Sequence, residues 1–497
     1  STASLAIGNM SSLSIFTATG MAPPGTNDVP GRAFAIDVDP ETGSFFVAHT
    51  VAHPGRKEDA TSVARLSGTA AGKVSPDPET DPVPPYYGAG IGGSGGFRPL
   101  EPELTRLSST GKANWKVGSG FFTSQIASVE AKDSSDVASH PTRRFVFMAM
   151  AGTDNILVTD PKGAADYSGN LHTVFLGTIP VGQNPVGIAF TGDGSFAYVH
   201  NAQSHSISVI ELKLIRRSGG ISNGVLGCPT VEVPFAKSKL TAAATAGRRV
   251  FTHAGNKKLS FLGDLACSSC HPDGGDDGQK WLGSTGIRQT PALGGRMVGT
   301  APFNWAGGAS SLTQNMQMTV HRMRGKGLCK EELGWLKKYI EETLELPPNP
   351  NVAADGKLTA QQLQGKKLFE RSDVGCSGCH APGSGTNGQS YDVGTTTKTD
   401  LAVATTLAER VVLKSTGTVF AAAHKKHYEA IFDTFRNRIT DLDTPSLKGV
   451  WATAPYLHDG SAATLEGVLA RTAGKMGDIT MLNSTQKAAL VAYLKTL

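Results

Sequence analysis

The sequence predicts a multidomain chain: an all-β, propeller-like N-terminal region with an incomplete set of blades, followed by two tandem, mainly α modules. Three observations carry this reading. Alternating strand, tight turn and strand recur through the first 215 residues with a period of about 50. Two copies of Cys-x-x-Cys-His stand in the C-terminal half, each between the same flanking segments. A proline-rich break, Leu346-Pro-Pro-Asn-Pro-Asn351, separates the copies. The expected boundaries are 1–215 for the β region, 216–237 for a connector, 238–345 for the first α module, 346–357 for the linker and 358–497 for the second α module.

Composition excludes several classes. A chain of 497 residues has room for about three domains. Charged residues make up 18% and there are 59 glycines, which suits a compact, loop-rich fold and argues against disorder or a coiled coil. The net charge of +5 carries no basic run beyond pairs such as Arg248-Arg249, so no nucleic-acid partner is expected. No run approaches the length of apolar sequence that spans a bilayer, so no transmembrane segment is expected.

The β pattern is sharpest at Val186–Asn201 and Ser206–Glu211, where alternating residues flank an Asp-Gly turn. Ala138–Met150 with Asn155–Thr159 repeats the scheme one period earlier, and Ala35–His49 lies about two periods before that. Four short strands per period make a blade. About four blades fit in the region, fewer than a closed ring of this kind uses. Missing or partner-supplied blades are therefore expected, because bare sheet edges invite aggregation. Gly88-Ala-Gly-Ile-Gly-Gly93 matches G-x-G-x-x-G in letters, but no strand precedes it and no helix opens after it, so it reads as a loop.

Six cysteines carry the chemistry: Cys228, Cys267, Cys270, Cys329, Cys376 and Cys379. Four fall in Cys267-Ser-Ser-Cys270-His271 and Cys376-Ser-Gly-Cys379-His380, the pattern of c-type haem attachment. Two thiols on one helical turn form thioethers to the haem vinyl groups, and the adjacent imidazole meets the iron. A zinc site is the competing reading, yet zinc does not require His directly after the second Cys in both copies. Two covalently attached haem c groups are expected, with His271 and His380 as proximal iron ligands. Such attachment takes place outside the cytoplasm, so a periplasmic or extracellular location is expected. Ser1 opens no signal-like segment, and an export signal is expected to have been removed. In that oxidising setting Cys228 and Cys329 are expected to pair as a disulfide, the alternative being two separate thiols.

The two α modules read as a duplication. Leu240–Phe251 matches Leu358–Phe369, each a helix leading into its haem motif. Thr290-Pro291-Ala-Leu293 and Thr300-Ala-Pro302-Phe-Asn-Trp305-Ala-Gly307 parallel Thr444-Pro445-Ser-Leu447 and Thr453-Ala-Pro455-Tyr-Leu-His458-Asp-Gly460. Each copy closes with an amphipathic helix, one carrying Leu333, Leu336, Tyr339 and Ile340, the other Ala489, Leu490, Tyr493 and Leu494. Helix, haem motif, loop and closing helix describe a cytochrome c module. Asp273, Asp276 and Asp277, just after His271, offer hard oxygen ligands for Ca²⁺ or simply form an acidic turn.

Over about residues 238–497 these segments resemble the bacterial di-haem cytochrome c peroxidase superfamily, which includes the MauG-type maturation enzymes. Pro302–Gly307 is similar to that family's inter-haem tryptophan motif, which implies an electron-relay role for Trp305. A core aromatic is the other reading, and Trp281 and Trp451 are weaker versions of the same idea. Thr453–Leu465 is similar to the family's second-domain hallmark, and the blade at 186–211 looks like a YVTN-type blade, a family often joined to di-haem modules. The sixth iron positions depart from the family. Its distal His has no counterpart between His271 and Trp305, and its acidic residue has none between Gln314 and Gly327.

The repeat instead pairs Met323, eleven residues after Leu312, with Met476, eleven after Leu465, as candidate distal ligands. Core packing is the alternative for both. The competitors are Met297, Met316, Met318 and His321 for the first haem, and His458 or Met481 for the second. His458 is alternatively a hydrogen-bonding group near the haem edge, and His424 and His427 read as surface residues. The leading expectation is a secreted electron carrier between redox partners, a partner protein or an extracellular acceptor, that assembles with other chains through its β region. A peroxidase or MauG-like oxidoreductase and a structural subunit are the alternatives.

Overall fold

The computed structural model describes strands within 29–52 and 100–117, and then residues 133–160, 175–213, 225–402 and 425–497, with a few positions left out inside these ranges. The described residues form two compact units, one running through Ser269 and the other from Cys270 to Leu497.

The first unit holds three four-stranded antiparallel sheets in chain order. The first comprises β1 (Val29–Val38), β2 (Phe45–Ala52), β3 (Leu100–Leu107) and β4 (Ala113–Val117). The second comprises β5 (Ser134–Ser139), β6 (Val146–Met150), β7 (Asn155–Thr159) and β8 (Phe175–Pro180). The third comprises β9 (Pro185–Phe190), β10 (Phe196–Asn201), β11 (Ser206–Glu211) and β12 (Thr230–Pro234). Each sheet is a simple meander, and its first strand packs beside the first strand of the next, β1 on β5 and β5 on β9. Phe147, Ile156, Val158, Ile179, Val199 and Ile210 form the core of the second and third sheets. The turns use residues that tolerate left-handed backbone: Asp154 at φ +57° between β6 and β7, and Gly194 at φ +68° between β9 and β10.

Among the described residues three four-stranded sheets stand, where the sequence reading fits about four blades. The described strands between 29 and 117 form one sheet, and the segment between β2 and β3, 53–99, lies outside the described residues. Among the described residues the sheets do not close into a ring. Strand β12 lies within the segment expected as connector. The Gly88–Gly93 loop falls outside the described residues.

The first helix, α1 (Ala242–Thr252), belongs to the sheet-containing unit. Thr241 caps it, its hydroxyl accepting from Ala244 N at 3.2 Å. The guanidinium of Arg249 grips both oxygens of Asp154 in the β6–β7 turn, one at 3.0 Å. Thr252 donates to Gln203 Oε1 at 3.1 Å, and Ala254 N donates to Gly152 O at 2.9 Å.

Beyond the one-turn helix α2 (Cys267–Cys270), the second unit contains α3 (Leu312–Arg322), α4 (Lys330–Glu342), α5 (Ala360–Glu370), α6 (Cys376–Cys379), α7 (Lys425–Thr440), α8 (Leu465–Arg471) and α9 (Ser484–Leu494). Two small ladders accompany them, β13 (Lys280–Gly283) with β14 (Gly286–Gln289), and β15 (Ser390–Asp392) with β16 (Asp441–Asp443). The repeat seen in sequence recurs in the caps. Ser311 and Thr464 cap α3 and α8, and Thr359 and Gln362 exchange bonds at the start of α5. Helix α5 crosses α9 where Gly365 meets the Ala489 carbonyl, and Phe369 meets Tyr493 edge-on at 5.4 Å. Leu368, Val374, Val450, Leu465, Ile479 and Leu490 complete that core.

The proline-rich segment is anchored. Leu346 packs against Gly295 and Gly449, Asn349 Nδ2 donates to Lys495 O at 2.9 Å, and Asn351 O accepts from Gln362 Nε2 at 2.8 Å. No described helix is long and apolar enough to cross a membrane.

Candidate haem sites and the polar network of the second unit

Helices α2 and α6 are single turns, which is the geometry that sets two cysteines three positions apart on one face. Burial pushes the Cys267 thiol up to about 12 and the Cys376 thiol up to about 11, so both are neutral thiols. His271 and His380 follow directly. His271 donates from Nδ1 to Gly275 O at 3.2 Å, and His380 from Nδ1 to Gly385 O at 2.9 Å. Each ring also interacts with a carbonyl from the repeated Thr-Pro segment, Pro291 for His271 and Pro445 for His380. Burial lowers His271 to about 4 and lowers His380 as well, keeping both imidazoles neutral. A neutral imidazole held at Nδ1 by a carbonyl presents Nε2 as its free ligating nitrogen. Cys267, Cys270, Cys376 and Cys379 therefore fit thioether attachment, and His271 and His380 fit axial ligation of haem iron. The sequence located these residues; it gave the Thr-Pro repeat no role, which the structure supplies.

The candidates for the sixth positions differ in burial. Met323 is buried at the end of α3, its N–H donating to Thr319 O at 3.0 Å. Met476 lies beyond the Thr472 cap of α8, its N–H donating to Thr472 O at 2.9 Å, and is half-buried. Met316 is buried, Met297 and Met318 are half-buried, and His321 is exposed. Met481 is 63% exposed. His458 is buried with both ring nitrogens engaged, Nδ1 with Thr395 Oγ1 and Nε2 with Asp400 Oδ2, each at 3.3 Å. This geometry matches its hydrogen-bonding alternative. His424 and the side chain of His427 lie outside the described residues.

Trp305 and His458 occupy equivalent places in the two copies. Each follows a bridge-forming segment, Phe303 with Ala309 and Tyr456 with Ala462, and each preceding residue, Asn304 and Leu457, has a left-handed backbone. The copies exchange backbone bonds here. Gln289 N donates to His458 O at 2.7 Å, and Asp443 N donates to Trp305 O at 3.0 Å. Gln289 and Asp443 themselves immediately precede the two Thr-Pro pairs. The Trp305 indole donates to Gln289 O at 2.7 Å. Arg296 reaches from the first copy to the carbonyls of Ser446 and Lys448 in the second.

Asp400, which no motif marks, is the centre of a buried network. It accepts from Ile287 N at 2.8 Å, Thr397 N at 2.9 Å and Thr397 Oγ1 at 2.6 Å, and faces Arg288 at 3.4 Å and His458. Burial works to raise its carboxyl, but the bonds from His458, Thr397 and Ile287 outweigh it and hold the group well below the ordinary range. Burial lowers Arg288 to about 10, and its Nη2 donates to Ile439 O at 3.0 Å.

The acidic loop after His271 serves its own backbone and Trp281. Asp276 accepts from Gly278 N at 3.0 Å, Asp277 from Gln279 N at 2.9 Å, and Trp281 Nε1 donates to Asp277 Oδ2 at 3.0 Å and Thr290 Oγ1 at 3.1 Å. Burial pushes Asp277 up to about 6. Among the described residues no group of three or more His, Cys, Asp or Glu side chains is arranged to hold a metal ion. Trp451 is half-buried. Cys228 is half-buried in the first unit, and Cys329 is exposed before α4, where its N–H donates to Glu332 Oε2 at 2.9 Å. The two sulfurs are not joined in this structure.

Two attachment motifs with carbonyl-held imidazoles define a c-type cytochrome-like protein. Residues 443–474 match a family described as RoxA-like, cytochrome c-like. The chain is 28% identical over 277 residues to hydrazine synthase subunit gamma of Kuenenia stuttgartiensis, covering 48% of this chain and 73% of that protein. It is 29% identical over 200 residues to the cytochrome-c peroxidase IdrP2 of Denitromonas iodatirespirans, covering 36% of this chain and 49% of that one. Among solved structures, a MauG-like protein associated with microbial copper homeostasis is 22% identical, with 53% of this chain and 91% of that chain covered and a TM-score of 0.36. The family model and the sequence relatives support a cytochrome c-like protein of a peroxidase-like, oxidoreductase kind.

Proposed function

We propose that the protein is a secreted di-haem c-type cytochrome that carries single electrons between redox partners, one of them a partner protein or an extracellular acceptor. The observation that carries the reading is the repeated imidazole arrangement, His271 on Gly275 O and His380 on Gly385 O, directly after paired cysteines. Haem bound there supplies reversible one-electron chemistry. Met323 and Met476 supply the sixth ligands, a role supported by their equal spacing, each eleven residues after the first residue of its helix, Leu312 of α3 and Leu465 of α8. The β region serves as the surface for docking and assembly, and the name of one relative, a synthase subunit, supports assembly with other chains. A periplasmic or extracellular location follows from covalent haem attachment.

Haem content and low-temperature EPR of the oxidised protein test this. Two haems per chain with two low-spin ferric signals are expected, and Met323→Ala or Met476→Ala should each turn one signal high-spin. A high-spin signal from the unmodified protein would overturn the carrier reading. It would favour a di-haem peroxidase or MauG-like oxidoreductase, the second reading, which the peroxidase relative and the placement of Trp305 support.

A further inference from the structure

We infer that Asp133, a residue of the β region, is a positioning residue for the first haem motif and makes the two haem sites electrically unequal. The inference rests on the reading of both motifs as haem sites.

Ser269 is the residue directly before Cys270 in the first motif. Its hydroxyl donates to Asp133 Oδ2 at 2.8 Å and accepts from Ala266 N at 2.9 Å, so one side chain ties the attachment turn to the strand region and closes the turn itself. Asp133 is fixed in turn: its carbonyl accepts from Ala151 N at 2.8 Å, beside the start of β5, and its backbone is left-handed at φ +52°. The equivalent position in the second motif is Gly378, which has no side chain and nothing within 4 Å of where a Cβ would stand. The second motif therefore has no side chain at this position to make the bond that Ser269 makes to Asp133. The approach to each motif shows the same inequality. Helix α1 is mounted on the turns of the second and third sheets through Asp154, Gln203 and Gly152, whereas α5 is mounted on α9.

A negative charge held in a poorly hydrated setting beside a haem favours the ferric over the ferrous state and lowers that haem's potential. Burial pushes Asp133 up to about 7, with Asp264, on the loop before α2, as its facing titratable group, so the carboxylate is charged above that pH.

Spectroelectrochemical titration of the full-length holoprotein at pH about 8.5 tests the inference. The unmodified protein should give two one-electron waves. Asp133→Asn should move one wave to higher potential, on the order of a tenfold change in the oxidised-to-reduced ratio, or ~59 mV, and leave the other in place. Ser269→Ala, which keeps the β region's own residues, should move the same wave and decides the matter if Asp133→Asn does not accumulate. Two unmoved waves, or equal movement of both, would overturn the inference. Fewer than two haem waves in the unmodified protein would overturn the di-haem reading itself, and the inference with it.

Discussion

Asp400 shows how much a single residue commits. Its carboxylate accepts from Thr397 N, Thr397 Oγ1 and Ile287 N and stands opposite Arg288, which is only 9% exposed. Asp400→Asn leaves that guanidinium buried without its counter-charge, a change that typically costs ~3–5 kcal/mol. Chemical denaturation of the variant should show a loss of that order. Because the folded-state pKa of Asp400 is depressed, its contribution is present above the unfolded value near 4 and is lost as pH falls through the folded value. The two Cys-x-x-Cys-His motifs were legible because the thioether attachment they imply demands fixed local spacing. Asp400 was not, since its partners Arg288 and His458 lie more than 50 residues away and Thr395-Thr-Thr-Lys-Thr-Asp400 has no pattern to mark it. Trp305 was legible as a motif residue, but its acceptor, the Gln289 carbonyl, leaves no trace in residue identity.

Among the elements, the α5–α9 crossing depends on Gly365. A Cβ there would collide with the Ala489 carbonyl, and backbone has no rotamer with which to give way. Gly365→Ala should therefore destabilise the second module by ~1–3 kcal/mol despite the better helix propensity of alanine, read as a lowered midpoint in thermal or urea unfolding. The repeat placed Gly247 and Gly365 together and located the α1/α5 and α4/α9 helix pairs, because caps and amphipathic faces are local properties. Blade number is not a local property. Sheet membership depends on which strands pair, and β2 pairs with β3 across residues 53–99, which lie outside the described residues. The proline-rich segment stands out in the sequence, but its anchoring through Leu346, Asn349 and Asn351 depends on distant residues.

For the molecule as a whole, the carboxyls point to an acid-shifted stability profile. Burial pushes Asp133 and Asp443 up to about 7 and Asp277 up to about 6. An acid whose folded pKa is raised is protonated in the folded state while the unfolded chain is already ionised. Stability from these groups is therefore full below about 4 and declines as pH rises towards about 7. Urea midpoints should fall between pH about 4 and 7, with a shallower slope in Asp133→Asn; a flat profile in the unmodified protein would refute this. The exchange of backbone bonds between the copies, Gln289 to His458 and Asp443 to Trp305, has a consequence of another kind. Each half accepts one backbone N–H of the other, so parting the halves would leave both donors without these partners. A chain nicked between 346 and 357 would stay one particle, and its separated pieces would regain their form only by complementation. The two copies thus share hydrogen bonds that no side-chain substitution short of proline removes.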